Sequence, residues 1–169
     1  MKINILGGGI AGLASSIFLS KQGHEVTIVE RNDYINELGA GIQITPNAIR
    51  VLDALGIRND FINLAEQSTS LSIRRAENSA LLQKVSMHRL VNDTKVGFYY
   101  LHRHKLLNLL KDNAIKNKVK IISNQYINKI IITKDNVRIC SNDIEYDSDI
   151  LIGADGLNSI SRKKLNEDY

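Results

Sequence analysis

Residues 2–12 read Lys2-Ile3-Asn4-Ile5-Leu6-Gly7-Gly8-Gly9-Ile10-Ala11-Gly12, and residues 25–30 read Glu25-Val26-Thr27-Ile28-Val29-Glu30. Ile3, Ile5 and Leu6 predict a buried strand that runs into a glycine turn. Ile10, Leu13, Ala14, Ile17 and Phe18 then recur at helical spacing. Gly23 marks the end of that helix, and Val26, Ile28 and Val29 predict a second strand closing on an acid. Strand, glycine turn, helix and strand make a βαβ unit, the building block of a parallel sheet.

Each part of this unit answers a physical demand of a dinucleotide. Gly7 permits a tight turn off the strand, Gly9 lets backbone approach a pyrophosphate, and Gly12 lets the helix pack on the sheet. The helix N-terminus offers unpaired N–H groups and partial positive charge to phosphates. Glu30 follows the turn by about twenty residues, where a carboxylate accepts hydrogen bonds from ribose hydroxyls. That carboxylate argues against a ligand with a 2′-phosphate. The motif by itself leaves FAD and NAD both open.

Composition narrows the class further. A chain of 169 residues with 43% hydrophobic content buries roughly 70% of its unfolded surface, enough for a core. The net charge is +4, but the basic residues are scattered except for Arg162-Lys163-Lys164. Three basic residues on a terminal helix read as a solvated face, so nucleic acid is not an expected partner. The single cysteine, Cys140, cannot form an intrachain disulfide and fits a reducing compartment. Its strand-like surroundings make it a structural thiol. No apolar run approaches the ~20 residues of a membrane span, and no signal-peptide pattern precedes the first strand. A cytoplasmic location is therefore expected.

Farther along, Arg31–Leu38 reads as a polar loop, and Gly39-Ala40-Gly41-Ile42-Gln43-Ile44 as a glycine bend into a short strand. Thr45-Pro46 predicts a helix start with Thr45 as cap. Residues 71–75 and 81–86 alternate weakly and are expected to pair. Residues 97–101 predict a strand and 103–114 a helix. Strands are expected at 119–123, 127–133 and 137–141, the last two joined by a tight turn at Lys134-Asp135-Asn136. A buried strand at 149–153 and a helix from Ser159 close the chain. Asp147 and Asp149 read as solvated loop acids. His102 and His104, two apart, are poorly spaced for a metal on a helix, and no metal site is expected.

Three segments together resemble the single-component FAD-dependent aromatic hydroxylases of the salicylate hydroxylase and p-hydroxybenzoate hydroxylase type. They are the glycine motif with Glu30-Arg31, the run Gly39 to Ala48 followed by Leu52 and Leu55-Gly56-Ile57, and Gly153-Ala154-Asp155-Gly156-Leu157-Asn158-Ser159 with Arg162. Between them, Leu101-His102-Arg103 with Leu106 and Leu109-Leu110 looks like the family's Arg-x-x-Leu helix start. The resemblance covers nearly the whole chain. It implies an α/β fold: a three-layer Rossmann-like FAD-binding domain over 1–169, with a parallel central sheet and a β-meander. It also implies that residues 70–100 begin a second, β-rich substrate layer.

Carried over by residue, the resemblance implies that Gly7, Gly9, Ala11 and Gly12 face the pyrophosphate and Glu30 the adenosine ribose. Arg31 lies at the adenine end, and Ile127 offers its backbone to adenine. Gln43 lies on the flavin side, and Arg103 reaches the phosphate–ribitol region. Asp155 belongs to the Asp-Gly motif implicated in FAD and NAD(P)H binding, and it also reads as a cap after a strand. The implied cofactor is FAD, with NADH or NADPH as co-substrate, a small aromatic substrate and possible self-association into a homo-oligomer. No catalytic residue is assigned. Two substitutions depart from the family: Ser16, where Ala or Gly is usual, and Ser161, where an apolar residue is usual and whose change is expected to loosen the last helix. Family members are more than twice as long, and their later Gly-Asp motif is absent here. If Tyr169 is the natural terminus, weak or no FAD retention and no turnover are expected. A non-catalytic nucleotide-binding remnant and an NAD-dependent dehydrogenase domain are the alternative readings.

Overall fold

The computed structural model describes residues 1–33, 40–87, 97–142 and 144–167. Strands β1 (Lys2–Leu6), β2 (Glu25–Val29), β8 (Lys120–Ile122) and β12 (Ile150–Gly153) form a wholly parallel sheet in the order β12-β1-β2-β8. Helix α1 (Ile10–Lys21) connects β1 to β2. In β1 and β2 the apolar residues read as strands are buried: Ile3, Ile5, Leu6, Val26, Ile28 and Val29. β12, expected as a buried strand, lies at the sheet edge with Ile150 exposed and Leu151 and Ile152 half-buried.

Strand periodicity sends alternate residues to opposite faces, and both faces of this sheet are covered. On one face a Cβ added at Gly12 of α1 would lie 3.4 Å from Ile5 Cγ2, and Leu13 and Ile17 are fully buried. Phe18, read as part of that apolar stripe, is instead half-exposed. Ser16 is buried and donates its hydroxyl to the Leu13 carbonyl at 2.7 Å, so this small departure leaves no unmet polar group. Helix α4 (Arg103–Lys116) buries Leu107, Leu110 and Ala114. Its end is tied to α1 by the Ser20 hydroxyl, which donates to the Asn117 carbonyl.

The opposite face carries an antiparallel meander of β9 (Lys129–Ile132), β10 (Val137–Cys140) and β11 (Glu145–Ser148). Leu6 and Val29 pack there with Ile127, Ile130 and Ile139, flanked by Tyr146, Leu151 and Ile160. Each fully buried aliphatic side chain of this kind stabilises the fold by about 1.5–3 kcal/mol relative to exposure. Asn4, almost completely buried among them, donates its side-chain amide to the Tyr146 carbonyl at 3.3 Å. Helices, parallel sheet and meander are the three expected layers.

Several local readings need correction. The predicted strand 127–133 is shorter, so Ile127 precedes β9 as a core residue. β11 was not anticipated. Asp147 lies on it and pairs with Arg138 through two contacts of 2.6 and 3.0 Å, which lower its pKa below the ordinary carboxylate value. Asp149 accepts from the Lys2 amide at 2.7 Å and donates its own to the Lys2 carbonyl at 2.9 Å, fastening the start of β1. Asp149 is the exposed connection between β11 and β12, as expected, whereas Asp147 looked like a loop residue because the short strand that carries it was not anticipated.

The chain divides into two units: Met1–Leu38 with Leu107–Tyr169, described above, and Gly39–Leu106. The second contains β3 (Gly41–Ile44), α2 (Pro46–Ala54), α3 (Arg58–Ile62), β4 (Glu66–Gln67), β5 (Ser70–Arg74), β6 (Leu81–Ser86) and β7 (Tyr99–His102). β3, β7 and β4 form one antiparallel sheet, and β5 and β6 pair as an antiparallel hairpin. Phe61 is fully buried and meets the Tyr99 ring edge-on at 5.6 Å. Thr45 stands at the cap position of α2, but its hydroxyl engages the Asn47 side chain and caps no backbone amide. α3 and β4 were not anticipated from the sequence. The segment Tyr34–Gly39, which includes the start of the second family-like run, lies outside the described residues.

Candidate functional site

Because β1, β2 and β12 are neighbours and parallel, their C-terminal ends meet at one edge of the sheet, where α/β sheets hold ligands. The ladder continues one residue past each strand. Gly7 donates its amide to the Val29 carbonyl at 2.9 Å, and Ala154 donates to the Leu6 carbonyl at 2.8 Å. Gly7, Glu30 and Ala154-Asp155 are thus brought side by side from positions far apart in sequence.

Gly7 adopts φ +108°, a backbone region that side chains disfavour. A Cβ there would also lie 2.3 Å from the Ala154 carbonyl oxygen, and one at Gly12 would lie 1.9 Å from the Gly7 carbonyl oxygen. The turn is therefore packed between the start of α1 and the end of β12. Gly9 differs: a Cβ there would meet nothing within 4 Å. Gly9 is the N-cap of α1, and no side chain caps the helix. The first-turn amides of a helix have no intrahelical partner, so this end presents donors and partial positive charge beside open space. Ala11, in that first turn, is exposed.

Glu30 accepts at both carboxylate oxygens. Gly8 donates its amide to Oε2 at 2.6 Å, and Asn32 donates its amide to Oε1 at 2.8 Å. Its main chain is anchored as well: the Glu30 amide donates to the Ile122 carbonyl, and the Glu30 carbonyl accepts from Gln125. A carboxylate has about four acceptor positions, so two remain beyond these bonds. Arg31, next along, is exposed.

Asp155 is a helix cap. Oδ1 accepts from the Ser159 and Ser161 hydroxyls at 2.7 and 2.6 Å, and Oδ2 from the Ile160 and Ser161 amides at 2.7 and 3.2 Å. These bonds hold the start of α5 (Ile160–Glu167). Partial burial raises the Asp155 pKa, and the hydrogen bonds from Ser159 and Ser161 outweigh it, leaving the group below the ordinary value. Four donors fill the acceptor positions of one carboxylate. Ser161 is buried against Gly153, where an added Cβ would lie 2.4 Å from its hydroxyl oxygen. The expectation that Ser161 loosens this helix is therefore corrected: it contributes two of the four bonds.

The other sequence-chosen residues are placed as follows. Ile127 is buried in the core between sheet and meander. Gln43 and Arg103 belong to the second unit. Gln43 is exposed on β3 opposite Tyr100 of β7, and Arg103 begins α4 with its amide donating to the Ala40 carbonyl at 3.0 Å. His102 ends β7 while His104 lies in α4, so they are not two residues of one helix, and their rings stack at 5.5 Å. Sequence reasoning missed Gly8 and Ser161. Gly8 is visible only as the middle of a glycine run, and Ser161 signals its role only through its spacing from Asp155.

Comparison with known proteins matches this arrangement. The FAD binding domain family model covers residues 1–169. The chain is 30% identical over 168 residues to 3-hydroxybenzoate 6-hydroxylase of Klebsiella oxytoca, covering 98% of this chain and 42% of that protein. It is 28% identical to FAD-dependent monooxygenase OpS4 of Beauveria bassiana, covering 97% of this chain and 39% of that one. It therefore spans about two fifths of the length of these curated relatives. Among solved structures, p-nitrophenol 4-monooxygenase PnpA from Pseudomonas putida superposes with a TM-score of 0.87 at 22% identity, over 96% of this chain and 42% of that one. A Klebsiella pneumoniae HpxO variant complexed with FAD gives 0.86 at 22% identity, over 97% and 42%. With a turn, an acid and an Asp-Gly segment meeting at one sheet edge, and a family model spanning every residue, the chain belongs to the FAD binding domain family.

Proposed function

We propose that this chain is the FAD-binding part of a flavin-dependent monooxygenase that hydroxylates a small aromatic compound with NAD(P)H and O2. The observation that carries the reading is the convergence of Gly7, Glu30 and Asp155 at one sheet edge within a chain of this family. The residues fit the cofactor: the space beside Gly9 is open where a Cβ would otherwise stand, α1 starts without a side-chain cap, and Glu30 keeps acceptor positions. FAD, when bound, supplies the redox and oxygen chemistry.

The chain's own residues bind and orient. Gly7, Gly9, Ala11 and Gly12 form the pyrophosphate side, with the first-turn amides of α1 as donors. Glu30 accepts from the ribose, Arg31 lies at the adenine end, and the Ile127 main chain borders adenine. Gln43 and Arg103 serve the flavin side. Asp155 acts through the turn and helix start that it holds, since its own oxygens are filled. The second unit begins the substrate layer: among the described residues its hairpin β5–β6 leaves Leu71, Ile73, Leu81 and Leu82 exposed, apolar surface of the kind that a further layer covers. Self-association of the whole protein is part of the same reading.

Calorimetric titration with FAD tests the binding part. Saturable one-to-one binding, competed by ADP, is expected, and absence of saturable binding sinks it. For the whole protein, aromatic-stimulated NAD(P)H oxidation with incorporation of labelled O2 into the ring is expected. NAD(P)H consumption with no label in any aromatic product would sink the hydroxylase reading and leave the binding reading standing.

A further inference from the structure

Glu30 is bonded to the glycine turn itself. Its Oε2 receives the Gly8 amide at 2.6 Å, shorter than the usual range of N–H···O bonds, as a charged acceptor allows. The carboxylate projects from a fixed base. The Glu30 amide is bonded to the Ile122 carbonyl at 2.9 Å, its carbonyl accepts from Gln125 at 3.0 Å, and Oε1 is held by the Asn32 amide at 2.8 Å. On the other side, the Gly7 amide is bonded to the Val29 carbonyl at 2.9 Å. The amides of Gly7 and Gly8, on either side of the φ +108° torsion, are thus both tied to the end of β2. One goes to main chain and one to the Glu30 side chain.

Two consequences follow. The Gly8 amide points at a carboxylate and is not a phosphate donor, which leaves that task to the amides at the start of α1. The path of the chain from Gly7 into Gly9, which sets where α1 begins, depends on Glu30. We propose that Glu30 is a positioning residue for the phosphate-facing glycine turn, acting through the Gly8 amide, in addition to accepting from a ribose. The proposal rests on the nucleotide-binding reading above and assigns the acid a second duty at the phosphate end of the same site.

The ribose hydroxyls provide the means to separate the two duties. ADP and 2′,3′-dideoxy-ADP are titrated against wild type, Glu30→Ala and Glu30→Gln. A ribose role alone predicts that the dideoxy probe binds all three equally. The positioning role predicts that Glu30→Ala also weakens the dideoxy probe, by about tenfold for one charge-assisted hydrogen bond. Glu30→Gln, whose amide oxygen still accepts, falls between. Dideoxy binding that is unchanged or tighter in Glu30→Ala overturns the proposal. Failure of wild type to bind ADP overturns the nucleotide reading instead, and the proposal with it. A ligand-free measurement stands beside these: Gly8 amide exchange is slow in wild type and faster in Glu30→Gln and Glu30→Ala. Equal Gly8 exchange in all three overturns the positioning role even if one variant is too unstable for titration.

Discussion

Gly8 donates its amide hydrogen to Glu30 Oε2 across 2.6 Å, although 22 positions separate the two residues. Parallel pairing of β1 with β2 makes this possible, because Leu6 lies opposite Val29 and both strands end at the same level. The acid that closes one strand thereby steadies the turn that closes the other.

The bond has a stability consequence without any ligand. Glu30→Ala leaves the Gly8 and Asn32 amides without their acceptor, and hydrogen bonds to charged groups contribute about 1.5–3 kcal/mol each at most. Because the Asn32 bond is exposed and the Gly8 bond only partly buried, a loss of about 1–2 kcal/mol is expected. Urea denaturation of the two proteins measures it. A midpoint unchanged by the substitution contradicts the claim.

Three glycines of the motif, Gly7, Gly9 and Gly12, should separate by type of effect. Gly7→Ala and Gly12→Ala place a Cβ 2.3 Å and 1.9 Å from carbonyl oxygens, and each is expected to destabilise by about 3 kcal/mol or more, or to prevent folding. Gly9→Ala meets nothing within 4 Å at an ordinary φ of −73°. Its stability should stay within about 0.5 kcal/mol of wild type, while FAD affinity falls at least about tenfold as the methyl enters the phosphate space. Thermal melts paired with FAD titration decide this. Unchanged FAD affinity in Gly9→Ala removes the pyrophosphate from that position.

Asp155 should show itself in the pH dependence of stability. Its folded pKa lies below the ordinary 3.8, so the unfolded state binds the proton more readily. The stabilisation is fully present above the unfolded value and is lost as pH falls through the folded one. Asp155→Asn points an amide donor at groups that are themselves donors, and about 1–2 kcal/mol should be lost at neutral pH, after allowance for partial exposure. The gap between wild type and variant should hold from pH 7 down to about 5 and close below the unfolded value. Denaturation curves across that range test the sign, and a gap that widens toward low pH refutes it.

The second unit has its own anchor. Phe61 is fully buried and edge-on to Tyr99, so Phe61→Ala is expected to cost about 3–5 kcal/mol. Phe61→Leu, nearer in volume, should cost distinctly less. Chemical denaturation followed at a probe within residues 40–106 provides the measurement, and equal effects of the two substitutions would argue against a packed ring at this position.

The sequence by itself determined the βαβ start, the glycine turn, the acid after β2, the parallel sheet and the returning Gly-Ala-Asp-Gly segment. All of these are local: period-two apolar runs, helical spacing and residues whose own backbone demands a turn. It left undecided what each polar side chain does. Asp147 looked like a loop acid because β11, which sets it opposite Arg138, was not anticipated, and the bond of Asp149 to the Lys2 amide forms only when the end of the meander meets β1. Ser161 looked like a weakening because the turn that brings its hydroxyl back to Asp155, six residues earlier, is not evident from residue type. Glu30 offered a ribose acceptor from its position alone, whereas its bond to Gly8 exists because two parallel strands end side by side. Local pattern fixes where the chain turns and which face is apolar. Which donor meets which acceptor depends on the folded path of the chain, within a turn or hairpin for Asp155 and Asp147 and across the sheet for Glu30 and Asp149, and only the tertiary structure decides it.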